Sequence, residues 1–134
     1  MVAITGEARG AILAHAREAW PAECCGLLLG REDRIERAIP ARNLAESSAT
    51  RFLLDPADHI RARRSARDAG ELVLGFYHSH PDSAPVPSPT DVDEASYPEA
   101  IHVIAGAGPS GRLSEIRAFR IVGGRVRAVA LGGG

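Results

Sequence analysis

The run Leu72-Val-Leu-Gly-Phe-Tyr77 constrains this chain more than any other stretch, because it is apolar, short for a helix, and leads directly into His78-Ser-His80. Gly70 precedes it, Pro81 closes it, and its β-branched and aromatic members suit a buried strand. Strands turn alternate side chains to opposite faces, so His78 and His80 present two imidazoles to one point. A Pro-rich loop then ends in Ser88-Pro-Thr-Asp91, and folding back would bring a carboxylate to the same point. Two imidazoles and one carboxylate leave a tetrahedral metal with an open fourth position, which is the coordination of a hydrolytic zinc. Either histidine alone reads equally well as a packed core residue. The company of Ser88, Asp91 and a separate Glu23 ahead of another apolar run favours the metal.

At 134 residues the chain suits one domain over residues 1–131, with Gly132–Gly134 as a flexible tail. A hydrophobic content of 45% and a charged content of 25% are ordinary for a globular protein. The net charge of −1 argues against a general nucleic-acid or membrane-surface binder. No apolar run approaches the ~20 residues needed to span a bilayer. The first residues lack the basic and apolar segments of a signal peptide, so a cytoplasmic location is expected. All 16 basic residues are arginine, a composition bias that leaves no lysine as an isopeptide acceptor. Cys24 and Cys25 are adjacent, too close for ordinary disulfide geometry. They read as reduced, buried thiols, with a place in a metal shell or an oxidisable pair as the alternatives.

Hydrophobic periodicity predicts a short strand at Val2–Ile4 and an amphipathic helix over 8–20 that buries Trp20. A hairpin follows over 24–29 and 34–41, then a strand over 51–54. A second helix begins at Asp55-Pro-Ala-Asp58, with Asp55 as cap, and stops at Gly70. Its arginines, Arg61, Arg63, Arg64 and Arg67, read as a solvated face, with docking of an acidic partner as the second reading. Ser88-Pro-Thr-Asp91 resembles a third helix start, which would hold Asp91 at a rigid terminus. Strands over 100–105, 114–122 and 125–131 complete a mixed α/β chain, the last two joined by a turn at Gly123-Gly124. Gly106-Ala-Gly-Pro-Ser-Gly111 has dinucleotide-loop spacing but opens a strand instead of a helix, so it is a glycine turn.

H-S-H-P, six further residues and then S-P-T-D resembles the H-x-H-P…S-x-x-D signature of the JAMM (MPN-plus) metalloproteases, and Glu23-Cys-Cys-Gly-Leu-Leu-Leu-Gly30 is similar to their upstream glutamate strand. The resemblance covers nearly the whole chain. It implies an α/β (α+β) fold: a curved, mixed, mostly antiparallel sheet flanked by helices, similar to cytidine deaminases. It also implies one zinc per chain on His78, His80 and Asp91, with Glu23 as general base and Ser88 as oxyanion donor. His15, His59 and His102 match no motif position, and Tyr77 reads as core.

The same resemblance implies peptide or isopeptide hydrolysis at the C-terminus of a ubiquitin-like or sulfur-carrier protein with a Gly-Gly tail. The stretches Ala14-His-Ala-Arg17 and Ile39-Pro-Ala-Arg-Asn43 are similar to the subgroup acting on sulfur carriers. A tail of that kind calls for an exposed strand edge near the metal. The competing class is a non-catalytic MPN-type scaffold, which keeps the fold and loses the ligands. A deaminase would need H-x-E and C-x-x-C patterns, and neither occurs.

Overall fold

The protein is described by a computed structural model covering residues 1–133. Its elements run β1 (Val2–Ile4), α1 (Gly6–Ala19), β2 (Cys25–Arg31), β3 (Arg34–Ala41), α2 (Pro56–Asp68), β4 (Leu72–Ser79), α3 (Pro89–Glu94), β5 (Ile101–Ala107), β6 (Leu113–Val122), β7 (Arg125–Val129) and β8 (Leu131–Gly133). One eight-stranded sheet has the order β7-β6-β5-β4-β2-β3-β1-β8. The hairpins β2/β3 and β6/β7, together with β2/β4 and β5/β6, are antiparallel; β4/β5, β1/β3 and β1/β8 are parallel. Register shifts at Leu28/Leu29 and Gly106/Ala107 bend the sheet, as bulges do. This is the mixed, helix-flanked architecture expected.

The two faces carry separate cores because strand side chains alternate. Cys24, Leu28 and Tyr77 face α1 and pack with Ile12 and Ala16. Cys25, Leu27 and Leu29 face the other way, against Ala62 and Ala66 of α2 and against Phe76. Leu27, Leu28 and Leu29 are all fully buried, each stabilising the fold by about 1.5–3 kcal/mol. Parity then puts Phe76 and His78 on the α2 face.

Local chemistry sets the helix ends. Thr5 Oγ1 accepts from Ala8 N to start α1, and Asp55 accepts from Ala57 N to start α2. Gly70, at φ +69°, reverses the chain after α2.

Four expectations change. Trp20 is 55% exposed, because α1 ends at Ala19 and the indole swings out to donate to Asp82 Oδ1. The 51–54 segment is extended but makes only the isolated bridge Asn43↔Leu54, since Asn43 caps its backbone with a side chain. Gly132 and Gly133, expected in a flexible tail, pair with Ala3 and Ile4 as β8, because β1 would otherwise leave an unpaired edge; Gly134 lies outside the described residues. Finally, the strand edge expected near the site is not β4's own at its histidine end, where β2 and β5 flank it. No described helix is long and apolar enough to cross a membrane.

Candidate active site

His78 leaves the end of β4 and His80 follows one pleat later on the same face. The backbone beyond the strand stays tethered: Ser79 N donates to Cys24 O and His80 N to Ala105 O. Loop 81–88 is held against β5 by Ala107 N donating to Ser83 O. Its close approach needs Gly106, where a Cβ would sit 2.6 Å from Pro85 N and 2.7 Å from Ser83 O. The glycine-turn reading of 106–111 missed this seat for the loop that leads to Ser88 and Asp91.

The loop ends at α3 in a capping box. Ser88 Oγ accepts from Asp91 N at 3.1 Å, and Asp91 Oδ2 accepts from Ser88 N at 2.9 Å. The cap therefore aims one carboxylate oxygen at the histidines. Asp91 Oδ2 lies 3.1 Å from His78 Nε2 and 3.0 Å from His80 Nε2, and the two nitrogens are 3.2 Å apart. Ligands about 2.0–2.1 Å from a tetrahedral zinc stand about 3.3 Å from one another, so this triangle has the size a zinc requires. His80 Nδ1 donates to Ala84 O at 3.2 Å, which leaves the Nε2 lone pair facing the triangle. His78 stacks on Phe52, with ring centroids 4.5 Å apart, a support that no local pattern announced.

Glu23 lies just before β2. Continuing the Cys25↔His78 register sets it across from His80, on the same face. It is 6% exposed, and among the described residues its Oε1 has no hydrogen-bond partner. Burial pushes its carboxyl from 4.5 up to about 7, His80 opposing and Asp91 and Glu94 adding to the rise. Asn43 ties this corner together. Its Nδ2 donates to Glu23 O and Arg51 O, and its Oδ1 accepts from Ala45 N and Leu53 N. One amide thus positions both Glu23 and the segment bearing Phe52.

Burial alone would raise the Asp91 carboxyl, yet hydrogen bonds from both histidines, the charge of His78, and Ser88 N–H hold it well below the carboxylate range. Burial lowers His78 against the pull of Asp91. It acts the same way on His80, but there Asp91, the Ala84 carbonyl and Glu23 prevail and raise the value. The thiols stand apart. Burial pushes Cys24 up to about 11 and Cys25 up to about 12, and Cys25 Sγ donates to Arg42 O, so neither joins the donor triangle.

A cleft of about 370 Å³ opens onto His78 and Asp91. Phe52, Leu54, Phe76, Tyr97 and Ile104 make it largely apolar, and His102 stands in its wall with a buried Nε2 that has no partner among the described residues. His15 is on the far face, where its Nδ1 and Tyr77 Oη share a hydrogen bond at 2.7 Å.

A family profile of prokaryotic homologs of the JAB domain matches residues 6–122. A desampylase of Haloferax volcanii is 39% identical over 119 residues, 84% of each chain. A CysO-cysteine peptidase of Mycobacterium tuberculosis is 40% identical over 128 residues, covering 94% of this chain and 86% of its own. Among solved structures, a JAB1/MPN-domain protein of Archaeoglobus fulgidus is 21% identical and superposes with a TM-score of 0.65 over 99% of this chain and 96% of its own, which shows the shared fold.

Proposed function

The chain belongs to the prokaryotic JAB family of JAMM-type peptidases, and from that premise we propose that it is a zinc-dependent peptidase or isopeptidase, acting at the C-terminal Gly-Gly tail of a ubiquitin-like or sulfur-carrier protein. The observation that carries this reading is the donor triangle of His78, His80 and Asp91 beside a buried Glu23, whose Oε1 has no partner among the described residues. The names of the two relatives, a desampylase and a CysO-cysteine peptidase, support the substrate class.

His78 Nε2, His80 Nε2 and Asp91 Oδ2 would hold one zinc. When bound, it supplies Lewis acidity and brings a water's pKa from 15.7 toward about 7. Glu23 takes the proton of the attacking water on a carboxylate oxygen, and a pKa near 7 suits it to return that proton to the leaving amine. Ser88 Oγ already accepts from Asp91 N, so its hydroxyl proton is free to donate to the developing oxyanion. The apolar walls of the cleft exclude bulk water on the side of His78 and Asp91. A narrow tail such as Gly-Gly fits a cleft bounded by Phe52, Phe76 and Tyr97.

The test is elemental analysis of the untagged protein beside His78→Ala/His80→Ala, with hydrolysis of a carrier protein extended by one residue after Gly-Gly. About one zinc per chain, lost in the double variant together with cleavage, is the expected result. An intact fold that takes up no zinc after dialysis against it would make the chain an MPN-type scaffold.

A further inference from the structure

Next to the cleft runs a second groove of about 490 Å³ between α2 and the first half of β4, and the two share His59, Phe76 and Tyr97 as a common wall. Its floor is Leu72–Phe76. The β4/β5 pairing begins only at Gly75↔Ile101, so Leu72 and Val73 are paired with β2 on one side, Leu74 is the residue skipped at the register shift, and the β5 side of all three is open. Leu72 is 67% exposed there. The α2 wall carries Arg63 and Arg67, and among the described residues neither guanidinium meets an acid. Glu71, in the same groove, is already neutralised by Arg37. The opposite wall carries Glu99.

Resting on the function proposed above, we infer that this groove binds the extended segment of the substrate protein immediately upstream of its Gly-Gly tail, and that this segment is acidic on the side facing α2. Three observations converge on this occupant. The open main-chain edge at Leu72–Leu74 suits strand addition by an extended chain. Arg63, whose Nε donates to His59 Nε2, and Arg67 meet no acid among the described residues; they select acidic side chains on one side, and Glu99 rejects them on the other, which fixes the orientation. The shared wall makes the path to His78 continuous. At about 3.3 Å per residue, Leu72 lies about 20 Å along the strand from His78, so the acids fall about two to six residues before the scissile bond.

Binding is measured by fluorescence anisotropy on the full chain, with a labelled decapeptide ending in Gly-Gly. One version carries Glu four and six residues before the end, and another carries Arg there. The wild type should bind the acidic peptide at least about tenfold tighter than the basic one, and more weakly as salt rises. Arg63→Glu/Arg67→Glu should lose that preference, Arg63→Gln/Arg67→Gln should lose part of it, and both should cleave a short Gly-Gly anilide at the wild-type rate. Equal binding of the two peptides by the wild type, or an unchanged preference in the folded Arg63→Gln/Arg67→Gln variant, overturns the inference. Arginine-dependent acidic binding without any cleavage would instead keep the groove and refute the hydrolase.

Discussion

Replacing Glu23 by Gln tests the electrostatics of the site without requiring turnover. In the folded chain the carboxyl is moved from 4.5 to about 7, mainly by burial. Folded protein therefore holds this proton more tightly than unfolded protein. Below pH 4.5 both states are protonated and the group contributes nothing to the balance. Between pH 4.5 and 7 the unfolded chain releases the proton first, so stability falls as pH rises. Above about pH 7 the loss is complete and constant. At 1.36 kcal/mol per pH unit, the full effect is about 3 kcal/mol. The amide that replaces the carboxyl keeps its shape and cannot ionise. Urea melts of chelator-treated wild type and Glu23→Gln between pH 4 and 8.5 should give a stability difference near zero at pH 4 that grows to about 2–3 kcal/mol in favour of the variant by pH 7.5. Titration of Asp91 and the histidines occurs in both proteins and largely cancels in the difference. The same variant should retain zinc and lose turnover by ~10²–10⁴. A difference that stays flat with pH would mean that Glu23 is solvated in the folded state, and the argument for its role as base would fall.

Other perturbations separate geometry from chemistry. Ser88→Ala should lower turnover by about 10²–10³ while destabilising by only about 1 kcal/mol for the lost cap, with Ser88→Thr restoring most of both; steady-state kinetics beside thermal melts decide it. Gly106→Ala drives a methyl into the Pro85 and Ser83 backbone, so loop 81–88 must shift; a stability loss of about 1–3 kcal/mol with weaker zinc retention is expected, read by melts and metal analysis. Asn43→Ala removes four hydrogen bonds that hold Glu23 and the Phe52 segment. It should destabilise by about 1–3 kcal/mol and lower kcat more than it raises KM, whereas Asn43→Asp should recover the acceptor half of the network.

The features legible in the sequence are those governed by neighbours in the chain. The alternation that puts His78 and His80 on one face, the Asp55 and Ser88 caps, and the Gly123-Gly124 turn with φ of +56° and +78° all follow from local backbone sterics. The candidate ligand set is legible for the same reason, because H-x-H is a statement about one strand and S-x-x-D about one helix start. Tertiary structure alone decided which distant residues complete the site. Phe52 reaches His78 only because Asn43 holds residues 51–53 from the other side, and Gly106 matters only because a loop from β4 crosses β5 there. Trp20 escapes its expected burial because a helix pattern does not tell where the last turn ends. Gly132 and Gly133 join the sheet because β1 presents an unpaired edge, and glycines carry no side-chain pattern to announce it. Local preferences thus determined the parts and the candidate ligands. The raised pKa of Glu23 and the apolar cleft arise only where the packed sheet excludes water, and the groove beside α2 arises where β5 does not extend along the first half of β4.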